Sequence, residues 1–123
     1  GASMHGIINS IEKLRLGKGH DSPTDVVKYL LKKRHLAPSH SLVTYTPLDG
    51  IDALLIHEVP DIVTTGDLHR PEVSDYNGVT LIASSCGQSR TPFEEKVGNN
   101  PDPCKVPILN LKTREIKIID FND

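Results

Sequence analysis

The string Thr64-Thr65-Gly66-Asp67-Leu68-His69-Arg70-Pro71 holds the residues of this chain best placed to do chemistry. An apolar strand is expected to run into it and to end at Gly66, which leaves a carboxylate and an imidazole two positions apart on the turn that follows. In an extended loop alternate residues project to the same side, so Asp67 and His69 would reach neighbouring metal ions. The plainer explanation stays open beside this one, because an Asp and a His after a strand also serve as turn and helix-capping residues.

The remaining reactive side chains read more simply. His20 and His40 lie in polar loops and are expected to be solvated, and His57, before Glu58, reads as an exposed strand-end residue. Ser84, Ser85 and Cys86 have no nearby Gly-x-Ser-x-Gly elbow or poised base, which argues against nucleophilic catalysis by them. Cys86 and Cys104 form no CxxC pair and no signal peptide precedes them, so the chain reads as intracellular with ordinary reduced thiols; their pairing or zinc binding is the lesser alternative.

The elements that must position Asp67 and His69 follow from hydrophobic spacing. With 123 residues the chain suits one domain with a modest core. Ile7 to Asp21 reads as a short helix running into a loop. Ser22-Pro23 then supplies an N-cap and a proline at the first helical position, and Val26, Val27, Leu30 and Leu31 recur at helical spacing, so a helix is expected from Pro23 to about His35. Lys28, Lys32, Lys33 and Arg34 would lie on its outer face and last turn, where the helix dipole favours cations.

After the break at Leu36-Ala-Pro-Ser-His40 the texture becomes that of strands, expected at Ala53–Ile56, Ile62–Thr65, Val79–Ala83, Ile108–Leu111 and Glu115–Asp120. The last two would form a closing hairpin around Lys112-Thr113-Arg114. Gln88 to Lys105, rich in Pro and Asn, is expected to be a long ordered loop with one turn of helix, of the kind that is often functional. Fourteen Lys and Arg against sixteen Asp and Glu give a net charge of −2, which offers no global attraction for nucleic acid. No apolar run approaches the roughly 18 residues of a membrane span, so the chain is expected to be soluble.

Several strings, in order along the chain, resemble the small subunit of archaeal D-family DNA polymerases, a branch of the calcineurin-like metallophosphoesterases. They are His5-Gly6, Leu30-Leu31-Lys32-Lys33-Arg34-His35-Leu36-Ala37-Pro38, Val59-Pro60-Asp61-Ile62 leading into Gly66-x-x-His69, Tyr76-Asn77-Gly78-Val79, Ala83-Ser84-Ser85-Cys86-Gly87-Gln88, and Asn99-Asn100-Pro101-Asp102-Pro103-Cys104-Lys105-Val106-Pro107. The resemblance implies an α/β (α+β) fold, the C-terminal portion of a phosphoesterase β-sandwich flanked by helices. It also implies a 3′–5′ proofreading exonuclease with two divalent ions, manganese for preference, that activate a water for in-line attack on a phosphodiester. By resemblance His5 would ligate the second metal and His69 the first, with Asp67 as a further ligand, while Arg34 and His35 would lie near the DNA path.

The chain departs from the family pattern in three places. Asp67 stands where the family has the first His of Gly-His-x-His, and Gly87 stands where it typically has Trp; the chain contains no Trp. The family's N-terminal ligand motifs, Asp-x-His, Gly-Asp and Gly-Asn-His-Asp, do not occur ahead of Gly66-Asp67-Leu68-His69, whose own Gly-Asp and Asp-x-His stand at the position of the family's later Gly-His-x-His motif. Gly1-Ala2-Ser3 resembles the remnant of an expression tag, and residues 4–123 read as the C-terminal part of the domain, inactive alone.

The expected partners are the large catalytic subunit of the polymerase, the primer 3′ end, the N-terminal remainder of the same subunit, and a second copy through exposed sheet, in the archaeal cytoplasm and not at a membrane. Two other readings accompany this one. The first is a non-catalytic scaffold that binds the large subunit, and the second is a phosphoesterase acting on small phosphodiesters.

Overall fold

A computed structural model describes residues 6–7, 22–38, 46–97 and 100–122. The expected helix within 7–21 falls largely outside them, as do His5, His20 and His40. The described elements are α1 (Pro23–Lys33), β1 (Ile62–Thr65), β2 (Glu72–Tyr76), β3 (Val79–Ala83), α2 (Pro92–Val97), β4 (Lys105–Leu109) and β5 (Ile116–Asp120). They form the α+β mixture the sequence implies, with β1, β3 and β2 in one mixed sheet and β4 and β5 in a second, antiparallel one.

The central strand β3 organises the first sheet. It pairs parallel with β1, Ile62 opposite Thr80 and Thr65 opposite Ala83, and antiparallel with β2, Glu72 opposite Ala83 and Tyr76 opposite Val79. All five of its residues are buried, and Leu81 is fully enclosed at 0% exposure. The apolar stripe of α1, Val26, Val27, Leu30 and Leu31, forms one cluster with Ile7, Val79 and Leu81, as its helical spacing dictates. β1, the expected apolar strand, is half-buried, and among the described residues it lies at the edge of its sheet with β3 as its one neighbour.

Both ends of α1 differ in detail from expectation. Ser22 occupies the N-cap position without a side-chain bond; the Glu72 carboxylate, at the start of β2, accepts from the Thr24 amide at 2.8 Å instead. An acidic group at a helix N-terminus is favourable whichever part of the chain supplies it. The helix stops at Lys33 because Arg34 adopts φ 55°, and Arg34 and His35 donate their amides to Leu31 and Leu30, a Schellman closure.

The strand expected at Ala53–Ile56 does not form. Asp52 accepts the Leu54 amide on its side chain at 3.0 Å and the Leu55 amide on its carbonyl at 3.2 Å, which folds the segment into a turn that leaves one isolated bridge, His35 to Leu55. β2, not expected, forms because Asn77 and Gly78 take φ 48° and 79° and turn the chain in a two-residue hairpin into β3.

The closing hairpin is present, with its first strand earlier than expected. Asn110 accepts the amides of Lys112 and Thr113 on its side chain, so Leu111 belongs to the turn and the strand ends at Leu109. Val106, Ile108, Ile118, Ile119 and Phe121 remain 40–63% exposed on this hairpin. Arg114 reaches the start of β1, its Nη2 at 2.9 Å from Asp61 Oδ1, and the Cys104 amide donates to the Cys86 carbonyl at 2.8 Å. No helix among the described residues is long and apolar enough to cross a membrane.

Because Leu81 is fully enclosed in the core cluster with α1, Leu81→Ala should destabilise the fold by about 2–5 kcal/mol. Chemical denaturation of the two proteins measures this, and a loss below about 1 kcal/mol would mean that β3 is not the packing centre.

Candidate functional site

β1 delivers the chain to Gly66, and the loop that follows turns sharply. Asp67 and His69 both take left-handed backbone conformations, φ 76° and 55°, so the extended geometry assumed for them is absent. Asp and His tolerate this region better than most residues. Between them Leu68 packs against the core cluster, while Asp67 is exposed and the His69 side chain is 34% exposed. The loop is therefore anchored by its middle residue.

His69 is fixed from two directions. Its backbone carbonyl accepts the Asp102 amide at 2.9 Å, which ties the long loop to the site. Its Nδ1 lies 2.7 Å from Oε1 of Glu94, a carboxylate buried to 5% exposure. The other oxygen of Glu94 accepts from the Thr91 amide at 2.8 Å and from the Thr91 hydroxyl at 2.9 Å, while Thr91 Oγ1 accepts the Glu94 amide at 3.3 Å. Thr91-x-x-Glu94 is thus a capping box at the start of α2. The Thr91 backbone bond first, and the His69 bond second, hold the Glu94 carboxyl below the usual glutamate value of 4.5. An ionised carboxylate accepts only, so Nδ1 must donate the proton. The lone pair of a neutral ring then resides on Nε2.

His35 shows the opposite arrangement. Its Nδ1 accepts the Ala37 amide at 2.9 Å and its Nε2 lies 2.8 Å from Asp52 Oδ2, so both ring nitrogens serve the turn after α1. Arg34 directs Nε to the Ile56 carbonyl at 2.9 Å and Nη2 to the His57 carbonyl at 2.7 Å. The two side chains expected near DNA are engaged in closing the helix onto residues 52–57. His57 is exposed, as expected.

Around this loop the long segment after β3 does the holding. Ser85 donates its hydroxyl to the Asp102 carbonyl, and Lys105 lies 2.8 Å from the Asp102 carboxylate, which first among its contacts raises the Lys105 pKa. Cys86 and Cys104 are free thiols. A side chain at Gly87 would meet open space, so nothing packed in the described structure demands glycine there. A groove of about 640 Å³ beside β1 is lined by Val27, Leu30, Ile56, Val63 and Asp67, among others, and is mainly apolar. It shares Asp67 with the loop but is not lined by His69 or Glu94.

Among the described residues no three His, Cys, Asp or Glu side chains form a group that would hold a metal ion. His69 is the residue whose surroundings most resemble those of a metal ligand, since ligating histidines typically donate their second ring nitrogen to a carboxylate. Glu94 was not expected. Its signal was the Thr-x-x-Glu pattern of a capping box, which marks a helix start but says nothing of a histidine 25 residues away.

No protein-family model matches the chain. It is 33% identical over 119 residues to a protein named DNA polymerase II small subunit from Thermoplasma acidophilum, a match covering 96% of this chain and 24% of that relative. Proteins of the same name from Halobacterium salinarum and Archaeoglobus fulgidus are 38% and 37% identical over 103 and 108 residues, covering 84% and 88% of this chain and 20% and 21% of theirs. The chain therefore spans about a quarter or less of the length of these curated relatives.

Thr91→Ala removes the reciprocal cap and should cost α2 about 0.5–2 kcal/mol. Amide hydrogen exchange at Glu94 and Glu95 is expected to accelerate; unchanged exchange would mean that Thr91 does not secure the helix.

Proposed function

We propose, from the premise that this chain is related over most of its length to a segment of the archaeal DNA polymerase II small subunits, that it is the part of such a subunit that presents His69 to a catalytic metal. The subunit would remove mismatched nucleotides from primer 3′ ends, with polymerisation belonging to a large catalytic partner. The observation that carries this reading is the His69 ring, pinned at Nδ1 by the buried Glu94 while its side chain remains 34% exposed.

His69 would donate through Nε2, Asp67 would add a hard carboxylate donor from the same loop, and His5 would add an imidazole from the N-terminal segment. Divalent manganese, when bound in pairs, supplies polarisation of the phosphodiester and a more acidic water. Imidazole and carboxylate suit such an ion. The donors of this chain do not complete a two-ion site, so the remaining ligands would come from the N-terminal remainder of the subunit, and the chain by itself would be inactive. The role of its own residues is to orient. Glu94 and the Asp102 amide hold the ring and the backbone of His69, and Leu68 keeps the loop seated.

One observation favours a second reading, a scaffold that binds the large subunit without cutting DNA. Asp67 stands in place of an imidazole, which changes the metal preference of the loop or ends it. The exposed apolar residues of the β4–β5 hairpin would serve association with a partner subunit or a second copy under either reading.

The test is manganese-dependent removal of a mismatched 3′ nucleotide by the full-length small subunit assembled with its large subunit. His69→Ala should lower the rate at least about 100-fold without loss of assembly, because a ligand outweighs the outer partners whose loss costs 10–100-fold. Undiminished activity in that variant, or no activity in an assembled wild-type complex with or without chelator, would contradict the exonuclease reading.

A further inference from the structure

We propose that Glu94 is a positioning residue that selects the tautomer of His69, and so decides whether this loop can bind a divalent cation. The inference rests on the reading of His69 as a metal ligand. It adds one residue from a second part of the chain, Glu94, to the machinery of the site.

The argument is one of donors and acceptors. The Glu94 carboxylate is 5% exposed and both its oxygens are engaged, Oε2 with the Thr91 amide and hydroxyl and Oε1 with His69 Nδ1. Since it only accepts, His69 must carry its proton on Nδ1, and a neutral ring then presents a lone pair at Nε2. A glutamine at this position has the same shape but one accepting oxygen and one donating nitrogen. The Thr91 amide, a fixed donor, would claim the oxygen and leave the NH2 group against Nδ1. Nδ1 would then have to accept, the ring proton would move to Nε2, and an N–H would replace the lone pair offered to the cation. Glu94→Gln therefore keeps the cap and inverts the ligand.

Histidine-selective 15N spectra and Mn2+ titration followed by electron paramagnetic resonance, both on the full-length small subunit, test this. The His69 signals are identified by their absence from His69→Ala. In the metal-free wild type they should report the Nδ1–H tautomer; the Nε2–H tautomer would overturn the inference whatever the variants do. Glu94→Gln should show the Nε2–H tautomer and bind Mn2+ about 10–100-fold more weakly, with an unchanged unfolding midpoint. Thr91→Ala, which disturbs the cap but leaves the Glu94 to His69 bond, should keep Mn2+ affinity within about twofold, well short of that outer-partner loss. An equal loss in Thr91→Ala would mean that Glu94 acts only through the fold, and would overturn the inference. Wild-type affinity in Glu94→Gln, with affinity lost in His69→Ala, would overturn it while leaving His69 a ligand. Wild-type affinity in His69→Ala would overturn the metal reading itself.

Discussion

The bond between Glu94 and His69 joins two demands that would otherwise conflict. A carboxylate buried to 5% exposure is costly unless its oxygens are satisfied, and a histidine on a loop is imprecise unless one ring nitrogen is held. The capping box of α2 meets the first demand through Thr91, and the bond to Nδ1 meets both at 2.7 Å. The six residues of α2 make too short a helix to be stable alone, so the pair also gives this helix a reason to sit where it does.

What brings the two residues together is the first sheet and the segment that follows it. β1 and β3 run parallel, so the loop after Thr65 and the segment after Ala83 leave from the same end of the sheet. The Ser84 amide bonds the Thr65 carbonyl at 2.8 Å, which aligns the two exits. Beyond that exit, Glu94 of α2 bonds the His69 ring and the Asp102 amide bonds its carbonyl, shortly before the hairpin begins. The enclosed strand β3 with α1 packed on it supplies the rigidity on which this arrangement stands.

Much of the scaffold was legible in local pattern. The apolar spacing and Pro23 mark α1, and the bounds of β1 and β3 follow from their β-branched runs. β2 escaped notice because Glu72-Val-Ser-Asp-Tyr76 is a polar edge strand whose clearest sign is the Asn77-Gly78 turn behind it. Ala53–Ile56 misled for the reverse reason, since a short apolar run says nothing of the Asp52 turn that folds it. Asp67 and His69 stood out by type and spacing. Their left-handed backbone, the Glu94 partner and the competing duties of Arg34 and His35 depend on contacts 17 to 25 residues apart, which no local pattern carries.

The central claim is that His69 faces a divalent ion through Nε2 while Glu94 holds its other nitrogen. Anomalous diffraction at the manganese edge, from crystals of the full-length small subunit grown with Mn2+, addresses this most directly. The account predicts an anomalous peak at bonding distance from His69 Nε2, with Glu94 still on Nδ1. A peak on Glu94 itself, or ordered manganese elsewhere in the subunit with none at His69, would contradict it.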